Sequence, residues 1–504
     1  MIIGFRCRRY NGSQRDGYRT GVADMLPRMK RRDFLYQTAV AGLAGTLRTS
    51  PAIAAPDSRQ ATGVKVGEVS DSAATAWMRL TATGARRSDG VIRRGPPQPF
   101  PADLKIADLE GSCPGAPGRV RFMLSTSESL RGARNTPWQE VNPANDFTHQ
   151  FRLTDLRPDT IYYYSAETAE PSGRLHAPLR GRFRTAPRPQ DPTPITFSMT
   201  TCQKYSQLDH PEGFHIYESM RQLDPRFFIS AGDIVYYDSD DPRATTEELA
   251  RYHWQRMFSF PRHIRMLLDI PGYWEKDDHD TLTDDTWSTQ TQLPEMKLTF
   301  EQGLRIFREQ VPMSERTYRT FRWGKTLQIW LVEGRDFRSP NDMPDGPQKT
   351  IWGAEQKQWL QRTLVASDAD WKILVSPTPI VGPDRDNKHD NHSNPDFAYE
   401  GREFREWVKA NVADNFFNIN GDRHWQYHSV DPETGLHEFS VGAASDSHAS
   451  GSPGEDKRYH RFHRVQGGFL QVDTMRSGGQ SRIHFRLRDV YGTIVYEFSK
   501  SRRV

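Results

Sequence analysis

The sequence predicts an α/β protein: a layered β-sheet sandwich flanked by helices, preceded by an all-β sandwich. Three observations predict it. From about residue 62 to 187, short runs of alternating hydrophobicity are separated by Gly, Pro and Ser, the pattern of half-buried strands joined by turns. Beyond residue 195, apolar runs of strand length alternate with stretches of helical periodicity, as in layered sheets that carry loops at their carboxyl edge. Between the two lies Ala186-Pro187-Arg188-Pro189-Gln190-Asp191-Pro192-Thr193-Pro194, a proline-rich linker that marks a domain boundary.

In the first region, Ala74-Thr75-Ala76-Trp77-Met78-Arg79-Leu80 and Val120-Arg121-Phe122-Met123-Leu124 are the clearest strands. Leu156-Arg157-Pro158-Asp159-Thr160-Ile161-Tyr162-Tyr163-Tyr164 resembles the fibronectin type III turn-and-strand, in which a tyrosine near the strand start hydrogen-bonds back to the preceding corner. In the second region strands are predicted at 195–201, 227–231, 326–332, 371–376 and 415–419, and helices at 243–269, 298–310, 353–366 and 400–412. The run Met266 to Trp274 is left open between helix and strand. Late β-rich segments at 436–442, 467–473 and 482–498 suggest a second sheet packed on the first.

With 36% hydrophobic and 26% charged residues over 504 positions, the chain is globular material for two or three domains. A formal charge of +4, spread along the chain, gives no basic stripe, so no nucleic-acid partner is indicated. Met29-Lys30-Arg31-Arg32-Asp33-Phe34-Leu35, an apolar stretch from Ala39 to Leu47 and Ala52-Ile53-Ala54 read as a twin-arginine signal with an A-x-A-type cleavage site. Residues 29–55 would then be the signal, and 1–28 a segment from a misassigned upstream start; a basic tail with an amphipathic helix is the bland reading. The implied partner is the twin-arginine translocation machinery, and the implied location is periplasmic or secreted. The apolar stretch is too short to span a bilayer, so no membrane anchor is expected in the mature form.

Of three cysteines, Cys113 and Cys202 lie beyond the cleavage site. Cys113 sits in a turn-like, exposed context and Cys202 at a strand end; whether they pair is open. A ligand role for Cys202 requires a free thiol.

The chemistry concentrates after strand ends. Phe227-Phe228-Ile229-Ser230-Ala231-Gly232-Asp233 and Phe416-Phe417-Asn418-Ile419-Asn420-Gly421-Asp422 share one plan, an apolar run, then Gly, then Asp. One such Asp is often only a turn or helix cap. The order carries more: Cys202; Asp233 with Tyr236 and Asp238; Asp277-Asp278-His279-Asp280; then Asp422 and His424. Strand-end residues in an α/β sheet emerge on one edge, which would gather oxygen, nitrogen and sulfur donors suited to more than one metal ion.

Thr201-Cys202-Gln203, Gly232-Asp233-Ile234-Val235-Tyr236-Tyr237-Asp238, Trp274 with Asp277-Asp278-His279-Asp280, and Gly421-Asp422-Arg423-His424-Trp425 together resemble the PhoD-like alkaline phosphatases, relatives of the calcineurin-like metallophosphoesterases. The resemblance spans 195–500 as a catalytic domain of metallophosphoesterase-like fold behind a fibronectin III-like domain at 62–187. It implies that Cys202, Asp233, Tyr236 and His424 surround Fe3+. It also implies that Asp233 bridges to Ca2+, with Asp422 and a third-motif residue, Asp278 or Asp284, completing the cluster. Thiolate and phenolate favour trivalent iron, while carboxylates and water suit calcium. Two departures are visible: Asp284-Asp285 stands where the family places an asparagine, and Leu331-Val332-Glu333-Gly334-Arg335-Asp336 differs from the family's usual aspartate and small residue before its arginine.

The implied reaction is hydrolysis of a phosphate monoester or diester by a metal-bound water whose pKa is lowered. His279 is the candidate acid or phosphoryl-oxygen binder. Arg335 reads either as a phosphate clamp or as a surface ion pair with Asp336. The polar loop 386–392 either lines the pocket through His389 and His392 or is solvated, as connections usually are. His210, His215 and His253 read as structural, and Trp254, Trp274, Trp287, Trp352 and Trp425 as core. The alternatives are a diesterase of lipid or teichoic-type polymers on the same fold, and a secreted binding protein that metals merely stabilise.

Overall fold

The computed structural model describes residues 57–290, 296–412 and 414–504; the targeting readings on 1–55 lie outside them. The first region contributes β1 (Lys65–Gly67), β2 (Ala74–Arg79), β3 (Arg119–Ser125), β4 (Arg134–Asn135), β5 (Gln139–Glu140), β6 (Thr148–Leu153), β7 (Ile161–Ala169) and β8 (Leu179–Arg184). Strands β1, β2 and β6 form one layer, and β4, β3, β7 and β8, with β5 on β3, form the other. Tyr162 Oη accepts the Arg157 N–H at 2.8 Å, the backward bond expected of the corner tyrosine.

The second region begins with β9 (Ile195–Thr200), α1 (His215–Gln222), β10 (Phe227–Ala231), α2 (Glu247–Phe258), α3 (Pro261–Asp269) and β11 (Gly272–Glu275). It continues through α4 (Phe300–Gln310), β12 (Arg319–Trp323), β13 (Leu327–Leu331), α5 (Gly353–Ala366), β14 (Trp371–Ser376), α6 (Ala398–Asn411) and β15 (Phe416–Asn420). The last strands are β16 (Gln426–Val430), β17 (His437–Val441), β18 (His460–Arg464), β19 (Phe469–Ser477), β20 (Gln480–Arg488) and β21 (Ile494–Arg503).

These strands make two sheets, of order β21-β20-β19-β9-β10-β11-β1-β2-β6 and β12-β13-β14-β15-β17-β16-β18. In the first, β9, β10 and β11 run parallel, and β11 pairs in parallel with β1 through Gly67 and Gly272. The first region's smaller layer is therefore an extension of the second region's sheet. In the other sheet β13, β14, β15 and β17 are parallel. Period-2 alternation assigns the faces: Phe227, Ile229 and Ala231 enter the core between the sheets with Ile373, Val375, Phe417 and Ile419, while Phe228 packs outward against α1, α2 and α3. On the far side Trp330, Leu374 and Phe416 meet Leu360 of α5 and Phe404 of α6. The result is a helix–sheet–sheet–helix stack, each fully buried Phe or Ile contributing roughly 1.5–3 kcal/mol.

Several expectations are corrected. The predicted helix 243–269 is two helices, broken where Pro261 opens α3 and Phe260 is held extended before it. The open run 266–274 is the end of α3 followed by β11. The segment 482–498 is a hairpin, β20 and β21, turned at Asp489–Gly492. Only 436–442 of the late segments belongs to the second sheet; 467–503 extends the first through β19 and β9. Cys113 is buried and both cysteines are free, because the 82–118 loop folds back onto α2, where Tyr252 Oη donates to Glu110 O at 2.6 Å. The proline-rich segment is pinned by the Lys325 N–H, which donates to Asp191 O at 2.7 Å.

Candidate metal centre

Cys202, Asp233 and Asp422 each lie two residues past a strand, β9, β10 and β15 respectively. All three adopt left-handed backbone, with φ of 51°, 55° and 61°. For non-glycine residues this costs on the order of 1 kcal/mol each and persists where the surroundings fix it. The sequence places these donors on one sheet edge; the structure divides them between two sheets. Cys202 and Asp233 leave the first sheet and Asp422 and His424 leave the second, and the two carboxyl ends converge. Thr201 bridges Ala443 across the sheets, and the Ala444 N–H donates to Cys202 O at 3.2 Å.

The glycines permit that convergence. A Cβ on Gly421 would press into the Ala231 carbonyl and stand 2.7 Å from Thr201 Oγ1, and one on Gly232 would stand 2.6 Å from Asp277 Cβ. Gly421→Ala is therefore expected to push the sheets apart, costing about 1–3 kcal/mol as overpacking does, and to lower metal content. Chemical denaturation and elemental analysis check both; unchanged values would mean the junction is compliant.

Single donor atoms of Cys202, Asp233 and His424 lie within 4.8 Å of one another, as do those of Asp233, Asp278 and His279, and those of Asp233, Asp277 and Asp422. Asp233 belongs to all three groups. Its Oδ2 accepts from Tyr236 Oη at 3.1 Å and from Cys202 Sγ at 3.4 Å. Its Oδ1, with Asp277 Oδ2, is buried without a hydrogen-bond partner among the described residues, whereas Asp422 Oδ2 lies against the Arg423 guanidinium. Orphaned buried carboxylate oxygens are costly, and cations supply what they lack, so these residues fit bound metal ions.

The local field agrees. Burial, then the Asp233 charge, holds the Cys202 thiol and the Tyr236 phenol well above their ordinary values, and burial, then His448, keeps His424 neutral. Without a cation the Cys202 thiol and the Tyr236 phenol are held protonated, while the His424 imidazole is already free to ligate. A cation inverts that balance.

Around these donors stands a supporting set. Asp280 accepts the Ile234 and Asp277 N–H groups at 3.1 and 2.7 Å, tying the Asp-Asp-His-Asp turn to the β10 turn. His279 Nδ1 meets Asp238 Oδ1 at 2.8 Å. Burial alone would keep the ring neutral, but Asp238, Asp278 and Asp233 outweigh it and raise its pKa well above the ordinary value.

Arg335 is not a surface residue and does not pair with Asp336. It is fully buried, with Nε 2.6 Å from Asp277 and Nη2 3.0 Å from Asp390, while Asp336 pairs with buried Lys276 at 2.8 Å. Nor is 386–392 simply solvated: Asp390, Asn391 and His392 are buried, and His392 Nε2 meets Glu400 at 3.0 Å, while His389 stays outside. Asp284 stands apart from the other acids. It groups with Asp278 and Asp285, yet its side chain is 59% exposed.

Sequence reasoning missed three neighbours. His448 Nε2 lies 2.9 Å from Tyr236 Oη, and its ring is 3.9 Å from that of His424. It follows a strand parallel to β15, and that was the available signal. Lys388 and Asp390 come from a loop without strand or helix pattern.

A stacked pair of sheets with mixed donors at their joined carboxyl ends defines a metal-binding protein of metallophosphoesterase-like fold. Residues 197–490 match the PhoD-like phosphatase model and 46–187 the PhoD-like phosphatase N-terminal domain; the chain belongs to the PhoD-like phosphatase family, a hydrolase class. It is 22% identical over 405 residues to alkaline phosphatase D of Bacillus subtilis (strain 168), covering 69% of this chain and 66% of that protein, just under two thirds. Among solved structures it is similar to one of PhoD, with TM-score 0.67 and 16% identity over 89% of this chain and 91% of that one. It is also similar to purple acid phosphatase PPD1 from yellow lupin (Lupinus luteus) seeds, with TM-score 0.59 and 12% identity over 87% and 74%.

Proposed function

We propose that this chain is an exported, metal-dependent phosphoesterase that hydrolyses phosphate mono- or diesters. The observation that carries the reading is the convergence on Asp233 of three donor groups with unpartnered carboxylate oxygens. Cys202, Asp233, Tyr236 and His424 would hold Fe3+, and Asp233, Asp278 and Asp422 would hold Ca2+, following the donor preferences of each ion. Bound cations supply Lewis acidity and lower the pKa of coordinated water.

The chain's own residues do the rest. Asp238 orients His279 through Nδ1, which leaves Nε2 to protonate the departing alkoxide. Arg335 holds Asp277 in place, and Trp425 lies under the Arg423 guanidinium, while Trp274 is core, packed edge-on against Phe228. Export rests on the twin-arginine pattern at 29–55. No helix among the described residues is long and apolar enough to cross a membrane.

Hydrolysis of mono-aryl and bis-aryl phosphates before and after chelation tests the reaction: activity lost on chelation and restored by metal is expected. A metal-loaded protein inert to both esters would favour the binding-protein reading. His279→Ala is expected to lower kcat roughly 10²- to 10⁴-fold, more for alkyl than for aryl leaving groups, with metal content unchanged. Equal losses across leaving groups would remove it as the acid.

A further inference from the structure

Asp284 Oδ1 is approached by two nitrogen-bearing side chains from different elements. Lys388 Nζ, delivered by the loop between β14 and α6, lies 3.2 Å from it, and His279 Nε2 lies 3.7 Å from it. Lys388 also holds Asp285 at 2.6 Å. Both side chains are largely enclosed, with 13% and 14% exposure, whereas the carboxylate they share is 59% exposed. An Asp284 oxygen lies within 4.8 Å of one from Asp278, at the rim of the cluster built on Asp233. The backbone of Asp284 is anchored independently, its N–H donating to Asp238 at 2.9 Å, so its side chain can swing away without disturbing the turn.

An exposed carboxylate seated between an enclosed ammonium and an enclosed imidazole nitrogen occupies the place where an incoming anion would be bound. We propose that Lys388 and His279 form the seat for a non-bridging or leaving-group oxygen of the phosphate ester, and that the Asp284 carboxylate is a built-in stand-in which the substrate displaces. This rests on the phosphoesterase reading above. It gives Asp284 a role opposed to substrate binding instead of a metal-ligand role. It also favours dianionic monoesters over monoanionic diesters, because the ammonium of Lys388 gains more from the greater charge.

The test is calorimetric binding of inorganic phosphate to the purified, metal-containing chain, alongside steady-state hydrolysis of mono-aryl and bis-aryl phosphates, for wild type, Lys388→Met, Lys388→Arg and Asp284→Asn. Lys388→Met should weaken phosphate binding and raise KM for the monoester roughly tenfold, as loss of one charge-assisted hydrogen bond does, with a smaller change for the diester. Lys388→Arg should restore most of it. Asp284→Asn should tighten phosphate binding several-fold with metal content unchanged, a gain that misfolding cannot imitate. The seat is overturned if Lys388→Met binds phosphate as wild type does, or if Asp284→Asn loses metal or weakens phosphate binding. If the binding pattern holds but wild type hydrolyses neither ester, the phosphoesterase reading fails and the anion seat stands.

Discussion

Asp233→Asn is expected to lower phosphate-ester hydrolysis roughly 10³-fold or more, beyond the 10- to 100-fold typical of removing an outer partner of a metal site. The reason is topological. Asp233 is the one residue present in the three donor groups that contain Cys202 with His424, Asp278 with His279, and Asp277 with Asp422. Its Oδ2 already receives Tyr236 and Cys202, and its Oδ1 faces the buried interior without a partner. An amide in its place puts an N–H₂ group among groups that need an anion, while shape and packing hardly change. Steady-state kinetics with elemental analysis reads the result: activity lost with one or more ions lost or weakened. Wild-type turnover would show that Asp233 is not at the reacting centre.

Arg335→Met should give the largest stability loss. The guanidinium is fully buried against Asp277 and Asp390, and Asp390 lies 4.0 Å from Arg423, itself bound to Asp384 at 2.7 Å. Burial would raise the Asp390 carboxyl, but Lys388, Arg335 and Arg423 hold it well below the carboxylate range. Removing one member of such a buried pair leaves an uncompensated charge and costs about 3–5 kcal/mol. Denaturant unfolding of the metal-free chain should show that loss, and the double variant Arg335→Met with Asp277→Asn should recover part of it. A cost below about 1 kcal/mol, as for an exposed pair, would contradict the buried assignment.

Much of this was legible because strand ends write their chemistry next to an apolar run. Phe227 to Ala231 and Phe416 to Asn420 are buried on both faces, so each reads as a largely apolar strand, and the Asp two residues on is found by counting. What periodicity could not supply was which strands share a sheet. Parallel neighbours β9 and β10 look like parallel neighbours β14 and β15, and it is the pairings of β19 with β9 and of β1 with β11, each far apart in sequence, that separate the two sheets. The helix break at Pro261 was written in the sequence but outweighed by the apolar periodicity on either side. The surface-pair reading of Arg335, beside that of a phosphate clamp, arose because a charged residue after a strand is usually exposed; its burial against Asp390, 55 residues on, comes from a loop with no pattern. The same loop hides Lys388, and His448 lies beyond a short polar run that carries no helix or strand signal of its own.

The central claim is that the carboxyl ends of two different sheets jointly grip metal ions. Anomalous diffraction at metal absorption edges, from crystals of the purified mature protein, tests it most directly. The account predicts ions bonded to Cys202, Asp233, Tyr236 and His424, and to Asp233, Asp278 and Asp422, with the Asp233 carboxylate between them. Ions bound by residues of one sheet alone, or an active protein with no anomalous peak at Asp233, would contradict it.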